Sequence, residues 1–189
     1  MTENQIVEIL KESGALLTGH FQLRSGLHSD HFFQAALLLQ NPDKAEIVCR
    51  HLAEKFSGQE ISAVISPAVG GLIVGQEIAR ALGCRAIFAD KEDGELVLKR
   101  GFSIRPGEKI LVAEDVVTKG GRVQQTIDLV RSKGGDVAGV AVIVDRSGGE
   151  ASFDVPVFHS ALKLSLPTFD PADCPLCAKH LPVDRPGSK

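Results

Sequence analysis

The chain is expected to adopt an α/β fold with a central, mostly parallel sheet flanked by helices, and three features point that way. Strand-length apolar runs alternate with helical segments. The runs are continuous rather than alternating, as in Ile61–Ser66 (ISAVIS) and Val137–Asp145 (VAGVAVIVD), which is the pattern of strands covered on both faces. With 189 residues, of which 43% are apolar, the chain is long enough to bury a sizeable core as one domain spanning 1–189.

Taken in order, Thr2 to about Leu17 reads as a helix. Thr2 and Gln5 have capping-box spacing, and Ile6, Ile9 and Leu10 follow at helical intervals. Gly19–Leu39 (GHFQLRSGLHSDHFFQAALLL) is broken at Gly19 and Gly26. A helix over Asn41–Phe56 starts with Asn41 as a side-chain cap and Pro42 in the first turn. The strand ISAVIS precedes a helix over Gly70–Gly83, stopped by Gly83. Cys84–Ala89 is a strand, Asp90–Glu108 a charged, mobile hairpin, Lys109–Asp115 a strand, Gly121–Gly135 a helix and VAGVAVIVD the next strand. Beyond Phe169 the chain is rich in proline and small residues and its end is expected to be loose.

Composition narrows the function classes. A net charge of −3 and the lack of a basic stripe argue against a nucleic-acid binder, and the absence of Trp and Tyr argues against base-stacking platforms. No apolar run approaches the roughly 20 residues a membrane helix needs. The acidic, amphipathic start MTENQIVEIL resembles neither a signal nor a transit peptide, so a cytoplasmic location is expected. Four cysteines are too few for a disulfide framework. Cys49 and Cys84 read as reduced core thiols. Cys174, Cys177 and His180 offer three donors where a structural zinc site wants four, so no metal is expected there.

The segment Ile110–Val123 (ILVAEDVVTKGGRV) carries the chemistry. A buried-looking strand runs into Glu114 and Asp115, then into a turn that opens a helix at Gly120–Gly121. Ligands of open α/β sheets bind beyond the carboxyl ends of the strands. A helix start offers unpaired N–H groups and the positive end of the helix dipole, so TKGG is a cradle for a phosphate. Acids beside that cradle would repel the phosphate unless they hold ribose hydroxyls or a magnesium ion through water. Gly-Gly before a helix and an acid at a strand end are each common structural features; their ordered combination fits a sugar phosphate. The segment is neither a Walker loop nor a GxGxxG dinucleotide turn.

VAEDVVTKGG resembles the signature of the type I phosphoribosyltransferases, and within them the chain is similar to the branch that acts on orotate. LRSGLHSDHFF, ISPAVGGLIVG, VVTKGG, VDRSGG and CPLCAKHLPV carry the resemblance over nearly the whole length. It implies the type I phosphoribosyltransferase fold, with a small hood from residues 1–40 and about 156–189 and a flexible loop over 85–108. The implied reaction moves a phosphoribosyl group from phosphoribosyl pyrophosphate (PRPP) to orotate, with Mg2+ carried by PRPP rather than ligated directly by the protein. The implied assembly is a homodimer with shared active sites.

By the same resemblance Glu114 and Asp115 hold the ribose hydroxyls, and Val116, Val117, Thr118, Lys119, Gly120, Gly121 and Arg122 complete the phosphate side of the PRPP site. Ala68, Val69 and Gly70 belong to the pyrophosphate loop. Family members often have a lysine in that loop, which is missing here, so contact must come from backbone amides. Thr118, Arg146, Arg24, Phe32 and Phe33 are assigned to orotate, for which Arg146 supplies a planar guanidinium fork; its competing role is a surface ion pair with Asp145 or Asp154. Lys91 is the catalytic loop lysine, reaching a neighbouring subunit's site, while the loop lacks the family's histidine. Two other readings share the fold: a phosphoribosyltransferase for a purine or another base, and a non-catalytic regulator that senses nucleotides.

Overall fold

The computed structural model describes residues 1–23 and 25–186. Helix α1 (Glu3–Glu12) is followed by a two-stranded antiparallel sheet, β1 (Leu16–Gln22) and β2 (His28–Phe33), and by the helices α2 (Ala35–Leu39) and α3 (Pro42–Glu54). Then come β3 (Ala63–Pro67), α4 (Gly71–Leu82), the hairpin β4 (Arg85–Glu92) and β5 (Glu95–Leu98), β6 (Lys109–Val117), α5 (Gly121–Ser132), β7 (Asp136–Asp145) and β8 (Phe158–Lys163). A short helix α6 (Pro175–Ala178) lies in the tail. The six main strands are ordered β5-β4-β3-β6-β7-β8, all parallel except β5.

The continuous apolar runs have the expected cause. On β6, Leu111 and Ala113 face a cluster with Val48, Leu52 and Ile78 of α3 and α4, whereas Ile110 and Val112 face Val123, Ile127 and Val130 of α5. Each face is fully covered, so neither parity tolerates polar residues. From β3 the chain moves outward through α4 to β4; from β6 it moves the opposite way through α5 to β7. Helices on opposite faces keep both crossovers right-handed. The neighbours β3 and β6 are therefore the point where the topology reverses, and a crevice opens beyond their carboxyl ends.

Several local expectations change. The first helix stops at Glu12 rather than Leu17: Gly14 takes φ +72° and the chain turns into β1. The Thr2–Gln5 capping box does form. Gly19 lies within β1 but at an irregularity, where the register with β2 shifts between Thr18 and Phe21, and an added Cβ would sit 2.9 Å from the Phe21 ring; Gly26 makes the turn. Asn41 does not cap α3 with its side chain, which instead donates to the Leu37 carbonyl at 2.9 Å. The 156–189 stretch does not begin in a hood, because Phe158–Lys163 pairs with β7 as the edge strand of the main sheet. The tail after it returns to the small sheet: Phe169 pairs with His28, and Asp184 bridges Phe21.

Candidate functional site

Glu114 and Asp115 emerge at the reversal crevice. Glu114 is buried, and its Oε1 accepts the Asp115 amide at 3.1 Å while Oε2 has no hydrogen-bond partner. Burial, then the neighbouring Asp115 charge, push the Glu114 carboxyl up from its ordinary 4.5 to about 8. Its enclosure therefore favours the protonated acid over the carboxylate. Asp115 is half-exposed and its Oδ1 accepts the Val116 amide at 2.8 Å.

The loop after β3 closes on these acids from across the crevice. A Cβ on Gly70 would lie 2.8 Å from Asp115 Oδ2, and one on Gly71 would lie 3.0 Å from Glu114 Oε1 and 3.0 Å from Ser66 Cβ. The close approach therefore requires glycine at both positions. Of the three residues assigned to pyrophosphate, Ala68 already donates its amide to the Ala89 carbonyl at 2.9 Å. Among the described residues, the amides of Val69 and Gly70 find no backbone acceptor.

On the other side, Val116–Val123 line a recess of about 130 Å3. Gly120 takes φ +76° at the start of α5, and the first helical bond there runs from the Gln124 amide to the Gly120 carbonyl. The amides of Gly121, Arg122 and Val123 precede it and are open to an anion.

A larger cleft of about 680 Å3 is lined by Phe32, Phe33, Thr118 and Arg146, and also by Gln34 and Arg185. Four of the five residues assigned to orotate thus meet; Arg24 lies outside the described residues. Arg146 is half-buried, and burial lowers its guanidinium below the usual range. Neither competing ion pair forms: Asp145 accepts the Ser147 amide, and Asp154 pairs with Arg131. Thr118 lines both the cleft and the recess, so one ligand can span them. Sequence reasoning missed Gln34 and Arg185. Gln34 follows the assigned Phe pair directly, whereas no signal marked Arg185, which reaches the cleft only because Asp184 pairs with β1.

Lys91 does not join this group. It is exposed on β4, opposite Leu96 of β5, and lines neither recess. Lys99 and Arg100 are engaged within the hairpin by Glu92 and Asp90. In the tail, the third donor beside Cys174 and Cys177 is not His180, which is exposed; His20 and His28 approach them instead.

Residues 37–159 match the phosphoribosyl transferase domain family. Over all 189 residues the chain is 50% identical to the orotate phosphoribosyltransferase of Pelotomaculum thermopropionicum, covering 99% of that protein. It is 49% identical over the same length to that of Chlorobium phaeobacteroides, covering 97%. Among solved structures it resembles orotate phosphoribosyltransferase from Aeropyrum pernix with a TM-score of 0.70 and 27% identity, covering 84% of this chain and 93% of that one. It also resembles adenine phosphoribosyltransferase from Rhodothermus marinus, with a TM-score of 0.66 and 26% identity over 85% and 99% of the two chains.

Proposed function

The chain belongs to the phosphoribosyltransferase family and, within it, to the orotate phosphoribosyltransferases, and from that premise we propose how its residues divide the work. The enzyme transfers the phosphoribosyl group of PRPP to orotate, giving orotidine 5'-monophosphate and pyrophosphate, a step of pyrimidine synthesis. The observation that carries the residue assignment is Thr118, which lines both the helix-start recess and the cleft containing Arg146, Phe32 and Phe33. The 5-phosphate takes the recess, the ribose crosses at Thr118 beside Glu114 and Asp115, and orotate takes the cleft.

As the bond from C1 to the pyrophosphate oxygen breaks, positive charge develops on the sugar, and a ring nitrogen of orotate bonds to C1 as its proton passes to the departing pyrophosphate. Asp115 orients the ribose hydroxyls and lays negative charge near that centre. The unpartnered Oε2 of Glu114 is buried and takes a ribose hydroxyl as its hydrogen-bond partner. The amides of Val69 and Gly70 receive the pyrophosphate. Arg146 grips the orotate carboxylate or imide edge with its planar fork, against the Phe32 and Phe33 rings. Mg2+ fits this donor set, because Asp115 is half-exposed and can hold it through water; bound on PRPP, it would neutralise charge gathering on the leaving group.

The assembly we favour is a homodimer in which Lys91 serves the neighbouring subunit's site. Its exposure on the hairpin and its absence from the lining of its own cleft support this. A cytoplasmic location fits a chain with no helix, among the described residues, long and apolar enough to cross a membrane. The reaction is tested by following PRPP consumption with orotate, uracil, hypoxanthine and adenine in parallel. Turnover with orotate alone is expected, and preference for a purine would overturn the assignment of Arg146. Mixing two inactive variants, Asp115→Ala and Lys91→Ala, should restore about a quarter of the activity through hybrid dimers with one intact shared site. No recovery from well-mixed dimers would place Lys91 outside the partner's site.

A further inference from the structure

Outside the linings of the cleft and the recess, two imidazoles and two thiols from three separate places in the chain converge. His20 of β1, His28 of β2, and Cys174 and Cys177 at α6 each turn one donor atom inward, and the four donors lie within 4.8 Å of one another. Cys174 Sγ is 3.6 Å from His20 Nε2, and Cys177 Sγ is 3.7 Å from His20 Nε2 and 3.3 Å from His28 Nδ1. Zinc with bonds of about 2.3 Å to sulfur and about 2.0 Å to nitrogen spaces tetrahedral S and N donors roughly 3.5 Å apart. The observed edges straddle that value. The imidazole nitrogens of His20 and His28 stand 2.8 Å apart, a hydrogen-bond spacing, and a bound ion would spread them by roughly 0.5 Å.

The surroundings fit as well. His20 Nδ1 lies 2.9 Å from the Leu181 carbonyl, so Nδ1 carries the proton and donates, and Nε2 faces the cluster with its lone pair. That outer hydrogen bond is how metal-binding imidazoles are commonly oriented. His20, His28 and Cys174 are buried, and buried polar groups need partners; a divalent cation held by two thiolates leaves the enclosed charge balanced. Soft sulfur with imidazole in a closed tetrahedral set selects zinc over magnesium.

We propose that His20, His28, Cys174 and Cys177 form a structural zinc site that staples the C-terminal tail to the β1–β2 sheet. The staple lies next to the segment that carries Asp184, bonded to β1, and Arg185 and Pro186, which line the large cleft. The metal site itself does not depend on the orotate reading; only its effect on that cleft does.

The test uses full-length protein without a histidine tag, grown with zinc. Elemental analysis after dialysis should give about one zinc per chain. Co(II) added to chelator-stripped protein should give the visible bands of a tetrahedral cobalt–thiolate centre. His28→Gln and Cys177→Ser should each lose most of the metal, and Cys84→Ser should retain it. Stripping should raise the orotate KM more than the PRPP KM. That last split rests on the orotate reading, and its failure leaves the stoichiometry to stand or fall by itself. The site is overturned if the unmodified protein holds little zinc and gives no cobalt spectrum, neither of which needs a variant to fold. It is equally overturned if iron is found instead, if Cys174 and Cys177 form a metal-free disulfide seen as a loss of two hydrogens in mass, or if the double variant His28→Gln/Cys177→Ser keeps its zinc.

Discussion

The two halves of the active cleft are built in opposite ways. The phosphate half is made at one edge of one sheet, by the turns that follow β3 and β6, and every group in it lies within a few residues of a strand end. The base half draws on separated segments: residues 22, 23 and 25, 32–34, 118, 146 and 185–186. The first half inherits its geometry from parallel strands packed on both faces. The second depends on how a small two-stranded sheet and a tail settle over that edge. The phosphate half should therefore tolerate substitution least and fail by losing turnover, whereas the base half should fail by losing affinity for one substrate.

Asp115→Ala strikes the first half hardest. Its carboxylate stands at a strand end and does little packing, so activity should fall far more than stability. A loss of about 100-fold or more in kcat/KM, or roughly 2.7 kcal/mol of transition-state stabilisation, is expected. Near-normal kinetics would remove it from the ribose site.

Gly71→Ala tests the close approach of the two turns. The new methyl group has Glu114 Oε1 and Ser66 Cβ at 3.0 Å and the Ala113 carbonyl at 3.3 Å. Overpacking of this kind costs about 1–3 kcal/mol, and the PRPP KM should rise alongside the fall in melting temperature. Unchanged values of both would mean that the crevice can widen freely.

Arg146→Ala sharpens the contrast from the other side. A charge-assisted contact is worth roughly 1.5–3 kcal/mol, so the orotate KM should rise by about tenfold or more, with the PRPP KM changed much less. Arg146→Lys should rescue only in part, since a point charge cannot copy the planar fork. Equal weakening of both substrates would show that the halves are not independent.

The pH dependence of stability separates burial from catalysis at Glu114. Its folded carboxyl is raised from 4.5 to about 8. The native protein therefore holds this proton more tightly than the unfolded chain, and the contribution is complete below about pH 4.5 and is lost as pH rises to about 8. One unit of such a shift is about 1.4 kcal/mol, and for a chain of this size that corresponds to roughly 3–5 °C in Tm. The substrate-free Glu114→Gln variant, with no proton to release, should show a flatter fall of Tm over this window. Parallel curves would mean that Glu114 ionises normally.

What could be read along the chain was whatever contiguous residues make together. Glu114, Asp115 and Thr118–Gly121 belong to one strand, one turn and one helix start, so local geometry alone sets them side by side. Continuous apolar runs announced a sheet covered on both faces for the same reason. Even locally, competition between nearby partners misled: Asn41 has the chemistry of a cap, yet its amide finds the Leu37 carbonyl. The tertiary structure decided everything that depends on burial or on distant segments meeting. Glu114 is an ordinary acid by composition, and only its enclosure beside Asp115, with one oxygen left unpartnered, makes it hold its proton. Cys174 and Cys177 read as an incomplete metal set because their nearest sequence neighbour of the right type is His180. Their actual partners are His20 and His28, more than 140 residues earlier, brought to them by the same return of the tail that carries Arg185 to the cleft. A linear chain carries no record of such a meeting, because it follows from how two packed surfaces fit and not from any local spacing.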